Sequence, residues 1–319
     1  MIITKTPLRI SFVGGGSDNL LKQGFDGCVI STTIDKFVYV GLNKKFDNKI
    51  RFSYSKTEIV RNTSLLKHQM LKETFKFFKI LNGMEIFSIA DIPSEGSGLG
   101  SSSSFLVGLI NLVNHYKKLK LSKEEIAKAA CKIEIEILNK PIGMQDQYNA
   151  VYGGLKQYVF YDNNKVKVKN LSISKKRLVK FNQKLFLVYT NQNRKSEKIL
   201  HQVKKRSNLK SLFEISKLTD QFKKELISGD LNVLGNLLHE NWLLKKSLSK
   251  NTTNDKIDKL YDYGVKSGAI GGKILGAGGG GFLLFFVDHK NHKRFKKKFY
   301  KQKIIDFNFY EKGSELIKI

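Results

Sequence analysis

The chain has 319 residues, 41% hydrophobic and 27% charged, enough apolar material for one large core or two smaller ones. That balance, with only three prolines, excludes a disordered or fibrous chain. Lysine and arginine outnumber aspartate and glutamate by 57 to 28, a formal net charge of +29, yet only seven of the basic residues are arginine. Bidentate arginine contacts dominate nucleic-acid recognition, so scattered lysines read instead as a solvated surface that attracts anionic substrates.

No basic segment followed by an apolar run opens the sequence, and no apolar stretch nears the ~20 residues that span a bilayer. A cytoplasmic protein with no membrane and no nucleic-acid partner is expected. Cys28 and Cys131 sit among apolar neighbours and are too few for a disulfide framework or a zinc site, so free thiols are expected.

Residues 10–13 read as a strand running into Gly14-Gly15-Gly16. Residues 29–34 and, past Asp35-Lys36, residues 37–42 read as further strands rich in β-branched and aromatic side chains. A helical stretch with Leu65, Met70, Phe75 and Phe78 follows, then a short strand at 86–89. Residues 92–104 form a glycine- and serine-rich loop. Behind it Phe105, Leu106, Leu109, Leu112, Val113 and Tyr116 recur at helical spacing. A second helix spans about 123–138 and ends before Pro141. Past Gly153-Gly154, strands are predicted near 155–160 and 185–189.

Long helices follow near 196–228, with a break near Asn208, and 231–249, with Gly229-Asp230 as stop and N-cap. A third, near 255–267, leads into the glycine cluster 271–281 and a strand at 282–287. The lysine-dense residues 290–303 carry Phe295 and Phe299 at the spacing of an amphipathic surface helix. No repeat is present, and a boundary near residue 180 would give units of 1–180 and 181–319.

The loop Gly96-Ser97-Gly98-Leu99-Gly100-Ser101-Ser102-Ser103 lies between a strand and a helix. Glycines let the backbone approach an anion, and unpaired amides at a helix start favour phosphate. It is neither a Walker loop, which ends in Gly-Lys-[Ser/Thr], nor a G-x-G-x-x-G fingerprint. Residues 276–281 do meet that fingerprint, but a strand comes next where dinucleotide binding requires a helix; a hairpin or close-approach loop remains. Asp146, Glu134 and Glu136 are candidate functional carboxylates, although each taken alone is more often a solvated charge than a catalyst, and Asp18, just after the triple glycine, suits a turn or cap residue equally well. No histidines stand at metal-ligand spacing and no Gly-x-Ser-x-Gly elbow occurs, so hydrolase and zinc-enzyme readings have no anchor.

Three segments in order resemble the GHMP kinase superfamily: residues 7–18, with Arg9 and Gly14-Gly15-Gly16-Ser17-Asp18; residues 93–103, with Gly-Leu-Gly-Ser-Ser intact; and residues 273–282. The resemblance implies an α+β, two-domain GHMP kinase fold, with a ribosomal-protein-like N-terminal domain and a ferredoxin-like C-terminal domain. It also implies an enzyme that uses ATP and Mg2+. ATP binding falls to Pro93, Gly96, Ser97, Gly98, Leu99, Gly100, Ser101, Ser102 and Ser103. Asp146, in a Pro-x-Gly-x-x-Asp-Gln setting, matches the catalytic aspartate, and Arg9 the basic residue beside it. Glu134 and Ser102, with Ser101 as the alternative serine, match the metal ligands. Asp18 matches the aspartate that binds sugar hydroxyls.

Within the superfamily, residues 14–18, 33–36, 189–196 and 268–273 most resemble the D-glycero-D-manno-heptose 7-phosphate kinases. Galactokinases carry Glu-His where this chain has Gly15-Gly16, which counts against galactose. The resemblance implies phosphorylation of the anomeric hydroxyl of a sugar phosphate, giving a 1,7-bisphosphate for nucleotide-activated heptose and surface glycans. Gly15, Gly16, Ser17, Asp18, Gly278 and Gly279 are then expected at the substrate, with Arg194 and Lys273 as cationic partners of its 7-phosphate. A fucokinase-like sugar-1-kinase and a non-catalytic sugar- or nucleic-acid-binding paralogue are the alternatives, and a homodimer is left open.

Overall fold

The computed structural model describes residues 1–92, 96–163, 165–192, 197–203 and 208–317. Two long strands, β1 (Ile2–Val13) and β2 (Gly27–Lys44), pair antiparallel along nearly the whole of β1. β2 is one strand, not the two suggested by the polar pair Asp35-Lys36. The register jumps from Pro7↔Phe37 to Leu8↔Ile34, so the pair is absorbed as a bulge instead of a turn. β3 (Ile50–Ser53) and β4 (Thr57–Val60) form a hairpin, and β3 runs parallel to β5 (Met84–Ala90). Between them α1 spans Gln69–Phe77, so Leu65 lies in a preceding 3-10 turn, outside the helix.

After the glycine loop come α2 (Ser101–Tyr116) and α3 (Lys123–Cys131), the latter started by a capping box between Ser122 and Glu125. α3 passes directly into a π-helical turn, Lys132–Ile137, so the predicted helix 123–138 changes its winding halfway. α4 (Gln145–Tyr152) and β6 (Lys156–Phe160) follow. β7 (Val166–Asn170) and α5 (Lys175–Gln183) are not foreshadowed by the sequence pattern. Their apolar positions are few and only Phe181 among them is fully buried.

The remaining elements are β8 (Leu185–Tyr189), α6 (Glu197–Val203), α7 (Leu209–Ile227), α8 (Leu231–Ser247), α9 (Asp255–Lys266), β9 (Ala269–Ile274) and β10 (Phe282–Val287). The chain ends with α10 (His292–Lys298), β11 (Ile304–Ile305), β12 (Phe309–Tyr310) and β13 (Glu315–Ile317). Asp230 caps α8 as expected, its side chain accepting from the Asn232 amide. Phe295 and Phe299 are buried while the lysines between them are exposed, so the lysine-dense segment is a solvated amphipathic face. β9 and β10 form the antiparallel hairpin that the second glycine cluster implied.

One sheet holds β13-β1-β2-β5-β3-β4 with β6, β7 and β12 attached, and a second, antiparallel sheet runs β11-β8-β10-β9. A boundary at residue 180 would cut α5, and the last strands, β12 and β13, return to the first sheet beside β2 and β1. Phe12 of β1 packs its ring 5.1 Å from Phe181 and 5.7 Å from Phe222, within one continuous apolar cluster. None of the described helices is long and apolar enough to cross a membrane. Cys28 and Cys131 are free thiols, and burial pushes both away from the thiolate form.

Candidate active site

The cleft between the two sheets is walled by the glycine-serine loop, β1, the segment 140–146 and the β9–β10 hairpin. α2 begins at Ser101 behind Gly100, which takes a left-handed conformation (φ 78°) and supplies no side-chain cap. The first-turn amides are therefore left for another acceptor. Gly98 is required by its neighbour: a Cβ there would lie 2.6 Å from the Leu275 carbonyl oxygen. The two glycine loops meet backbone to backbone, so the second buttresses the first. Gly96, Ser97, Gly98, Gly100, Ser101, Ser102 and Ser103 line the cleft. Leu99 does not; its side chain is fully buried in the core, and its carbonyl accepts from the Arg9 amide at 3.0 Å.

Arg9 and Asp146, separated by most of the N-terminal half of the sequence, form a two-pronged pair. Arg9 Nε donates to Asp146 Oδ1 at 2.8 Å and Nη2 donates to Oδ2 at 2.7 Å. The third prong, Nη1, donates to the Gly98 carbonyl at 2.6 Å, fastening the loop and the carboxylate to one guanidinium. Asp146 lies in the first turn of α4 with its side chain 23% exposed to the cleft.

Glu134 is carried by the π-helical turn and is almost wholly buried. Ser102 Oγ donates to its Oε1 at 2.6 Å, while Ser103 Oγ (2.7 Å) and Gln147 Nε2 (2.8 Å) donate to Oε2. A carboxylate and a hydroxyl beside the glycine-serine loop are hard oxygen donors of the kind Mg2+ takes, together with waters and substrate phosphates. The residues present therefore fit that ion. Ser101 turns elsewhere, its hydroxyl 3.1 Å from Ser97 Oγ.

Asp18 is buried in the cleft wall beside Asp146, accepting from the Gln145 amide at 3.1 Å. Burial pushes its carboxyl up to about 6 against the pull of that amide, and the charge of Asp146 adds to the rise. Gly143 must be glycine to admit it, since a Cβ there would fall 1.9 Å from Asp18 Oδ2. Ser11 Oγ, Asp18 Oδ1 and Gln145 Oε1 are buried, line this region and meet no partner among the described residues. Lys273 is buried as well, donating to the Phe12 carbonyl at 2.7 Å; burial, and then the charge of Arg9, lower its ammonium to about 7.

Three of the predicted substrate residues are not at the cleft. Ser17 is used structurally, its hydroxyl donating to the Cys28 carbonyl (2.9 Å) and accepting from the Cys28 amide (3.0 Å). Gly278 and Gly279 turn onto Thr252, whose carbonyl accepts from the Gly279 amide; Gly276 and Ala277 line the cleft in their place. Gly15, Gly16, Asp18 and Lys273 do line it, and Pro93 and Arg194 lie outside the described residues. Two lysines not predicted from sequence, Lys140 and Lys245, also face it. Lys245 had a visible signal: with Leu234, Leu238 and Asn241 it occupies one helical face that is otherwise core.

Family models for the GHMP kinases N terminal domain and the GHMP kinases C terminal region match residues 62–154 and 222–305. A Campylobacter jejuni protein named D-glycero-alpha-D-manno-heptose 7-phosphate kinase is 32% identical, over 98% of this chain and 97% of its own. A solved putative sugar kinase from Campylobacter jejuni is 31% identical with TM-score 0.80, covering 100% of this chain and 98% of that one. A solved D-glycero-D-manno-heptose 1-phosphate kinase from Bacteroides thetaiotaomicron superposes with TM-score 0.84 over 100% and 99% of the two chains. Its 22% identity speaks for the fold alone.

Proposed function

This chain belongs to the GHMP kinase family, an ATP-dependent phosphotransferase acting on a sugar, and from that premise we propose that it phosphorylates the anomeric hydroxyl of D-glycero-D-manno-heptose 7-phosphate. The product is the 1,7-bisphosphate, made in the cytoplasm for nucleotide-activated heptose and surface glycans. The observation that carries the kinase chemistry is the Arg9 fork, which ties Asp146 to the carbonyl of Gly98 in the phosphate loop.

Phosphoryl transfer needs positioning and charge neutralisation more than covalent help. The loop amides and the start of α2 hold the phosphate chain. Asp146 has lone pairs left beyond its two bonds to Arg9; these orient the anomeric hydroxyl and take its proton as the oxygen attacks the γ-phosphorus of ATP, whose bond to the bridging oxygen breaks to release ADP. Arg9 fixes that carboxylate and faces the charge on the transferring group. Ser102 and Glu134 are the residues that would hold Mg2+, which would supply charge neutralisation for the phosphate chain. The unpartnered Ser11, Asp18 and Gln145 oxygens are acceptors for sugar hydroxyls, and Lys273 is a cation for the acceptor's phosphate.

The likeness to the Campylobacter jejuni enzyme supports the heptose reading. Incubation with Mg-ATP and a panel of heptose, heptose 7-phosphate, fucose and galactose, with the product located by NMR, tests it. The expected result is a kcat/KM for the 7-phosphate about a hundredfold above that of unphosphorylated heptose, the size of one charge-assisted recognition. Equal use of the two, or a preference for fucose, overturns the substrate.

Asp18 gives a pH signature. Its carboxyl ionises near 6, so KM for the sugar is expected to rise as pH falls through 6 while KM for ATP stays level. Asp18→Asn should raise KM at every pH and remove that slope. The stability effect has the opposite sense from an ordinary carboxylate. The folded value lies above the unfolded one, so ionised Asp18 costs stability above pH 6 and the cost vanishes toward pH 4. Thermal melts of Asp18→Asn should therefore show a gain of ~1–3 kcal/mol at pH 8 and little at pH 4.

A further inference from the structure

Glu134 has a fourth donor. Lys140 Nζ lies 3.0 Å from Glu134 Oε1 and 3.0 Å from Ser102 Oγ, so one ammonium bridges the two oxygens that the kinase reading gives to a metal. Ser102 spends its proton on Glu134 at 2.6 Å, which leaves its lone pairs for either Lys140 or a cation. Glu134 Oε2 is taken by Ser103 and Gln147, so a metal would reach this carboxylate at Oε1, in the place that Lys140 now holds beside Ser102. Lys140 is placed to leave: its side chain is 24% exposed at the cleft wall while Glu134 is 1% exposed, and its further contact, to Met70 Sδ, is long at 3.6 Å.

We propose that Lys140 is a built-in counter-ion for the metal site, holding the Glu134 charge until a divalent cation displaces it. A buried carboxylate without a charge partner is costly, so an unloaded site of this kind needs a cation of its own. The same ammonium competes with free metal for Ser102 Oγ and Glu134 Oε1. It therefore favours loading of the cation together with its nucleotide, whose phosphates supply further oxygen ligands, over loading of the cation alone. This assignment rests on the metal-nucleotide reading of the cleft and is independent of which sugar is the acceptor.

The test uses Mn2+, read by its paramagnetic resonance signal, with the full chain, Lys140→Met and Lys140→Arg. Without nucleotide, Lys140→Met is expected to bind Mn2+ about tenfold or more tightly than wild type, the size of one charge-assisted hydrogen bond. Lys140→Arg keeps the cation and should stay near wild type. Metal-free Lys140→Met is expected to melt about 5 °C lower, and Mn2+ should restore more of its stability than it adds to wild type. Equal or weaker Mn2+ binding by Lys140→Met, with wild type binding Mn2+ in the presence of ADP, overturns the counter-ion role alone. Wild type that fails to bind Mn2+ even with ADP removes the metal assignment, and this proposal with it.

Discussion

Replacing Asp146 by asparagine is expected to lower kcat by ~10²–10⁴ while KM for ATP changes by no more than about threefold. Asparagine keeps the shape and one acceptor oxygen, so one prong of Arg9 is still met and the loop stays anchored through the Gly98 carbonyl. What it loses is the capacity to take a proton from the attacking hydroxyl. A structural role alone predicts the reverse pattern, with a lower melting temperature and kcat within about tenfold of wild type. ADP release measured beside a thermal melt separates the two. A kcat within that tenfold margin removes Asp146 from the proton transfer.

The parts of this site that could be read from sequence are those carried by contiguous residues. The 96–103 loop announces an anion cradle because glycines, serines and a strongly patterned helix stand side by side. The hairpin of residues 276–281 is legible from the strand immediately C-terminal to it, where a dinucleotide site would need a helix. Contacts between distant segments are not legible. Nothing local to Arg9 or Asp146 says that they meet, and only the family resemblance brought them together. Lys140 was missed because it sits six residues after Glu134, beyond a π-helical turn, and no helical spacing rule pairs such positions. Ser17 misled in the opposite way: it stands beside Asp18 in the motif, but its hydroxyl closes the turn onto Cys28. Among the elements, β7 and α5 escaped because lysine and asparagine dilute their apolar pattern. The bulge at Asp35-Lys36 looked like a turn because a bulge uses the same polar residues.

The overall charge of +29 takes on a more specific meaning in the cleft. Its lining carries Arg9, Lys140, Lys245 and Lys273 against Asp18, Glu134 and Asp146. Arg9 and Lys140 are matched by carboxylates, whereas Lys273 donates to the Phe12 carbonyl. Burial brings that ammonium down to about 7, so at neutral pH it carries only part of its charge until an anion is bound. A phosphate bound beside Lys273 would favour its protonated form, and surface lysines add long-range attraction that salt screens.

Arg9→Met is expected to do more damage than Asp146→Asn, in stability as well as rate. The methionine fills part of the volume but leaves the Asp146 carboxylate and the Gly98 carbonyl without their donors. Breaking a buried ion pair by removing one partner costs ~3–5 kcal/mol. Asp146 is 23% exposed, so ~2–3 kcal/mol is the better expectation here, a melting shift of roughly 3–5 °C. The rate should fall by ~10³, because the proton acceptor and the phosphate loop lose a common anchor. Arg9→Lys separates charge from shape: an ammonium can reach one of the three acceptors but cannot span them, so an intermediate loss is expected. A double-variant cycle then asks whether the pair acts as a unit. If it does, Arg9→Met with Asp146→Asn loses little more kcat than the worse single variant. Losses that multiply instead would mean that Arg9 serves the phosphate loop and Asp146 the sugar hydroxyl by separate routes, despite their shared bonds.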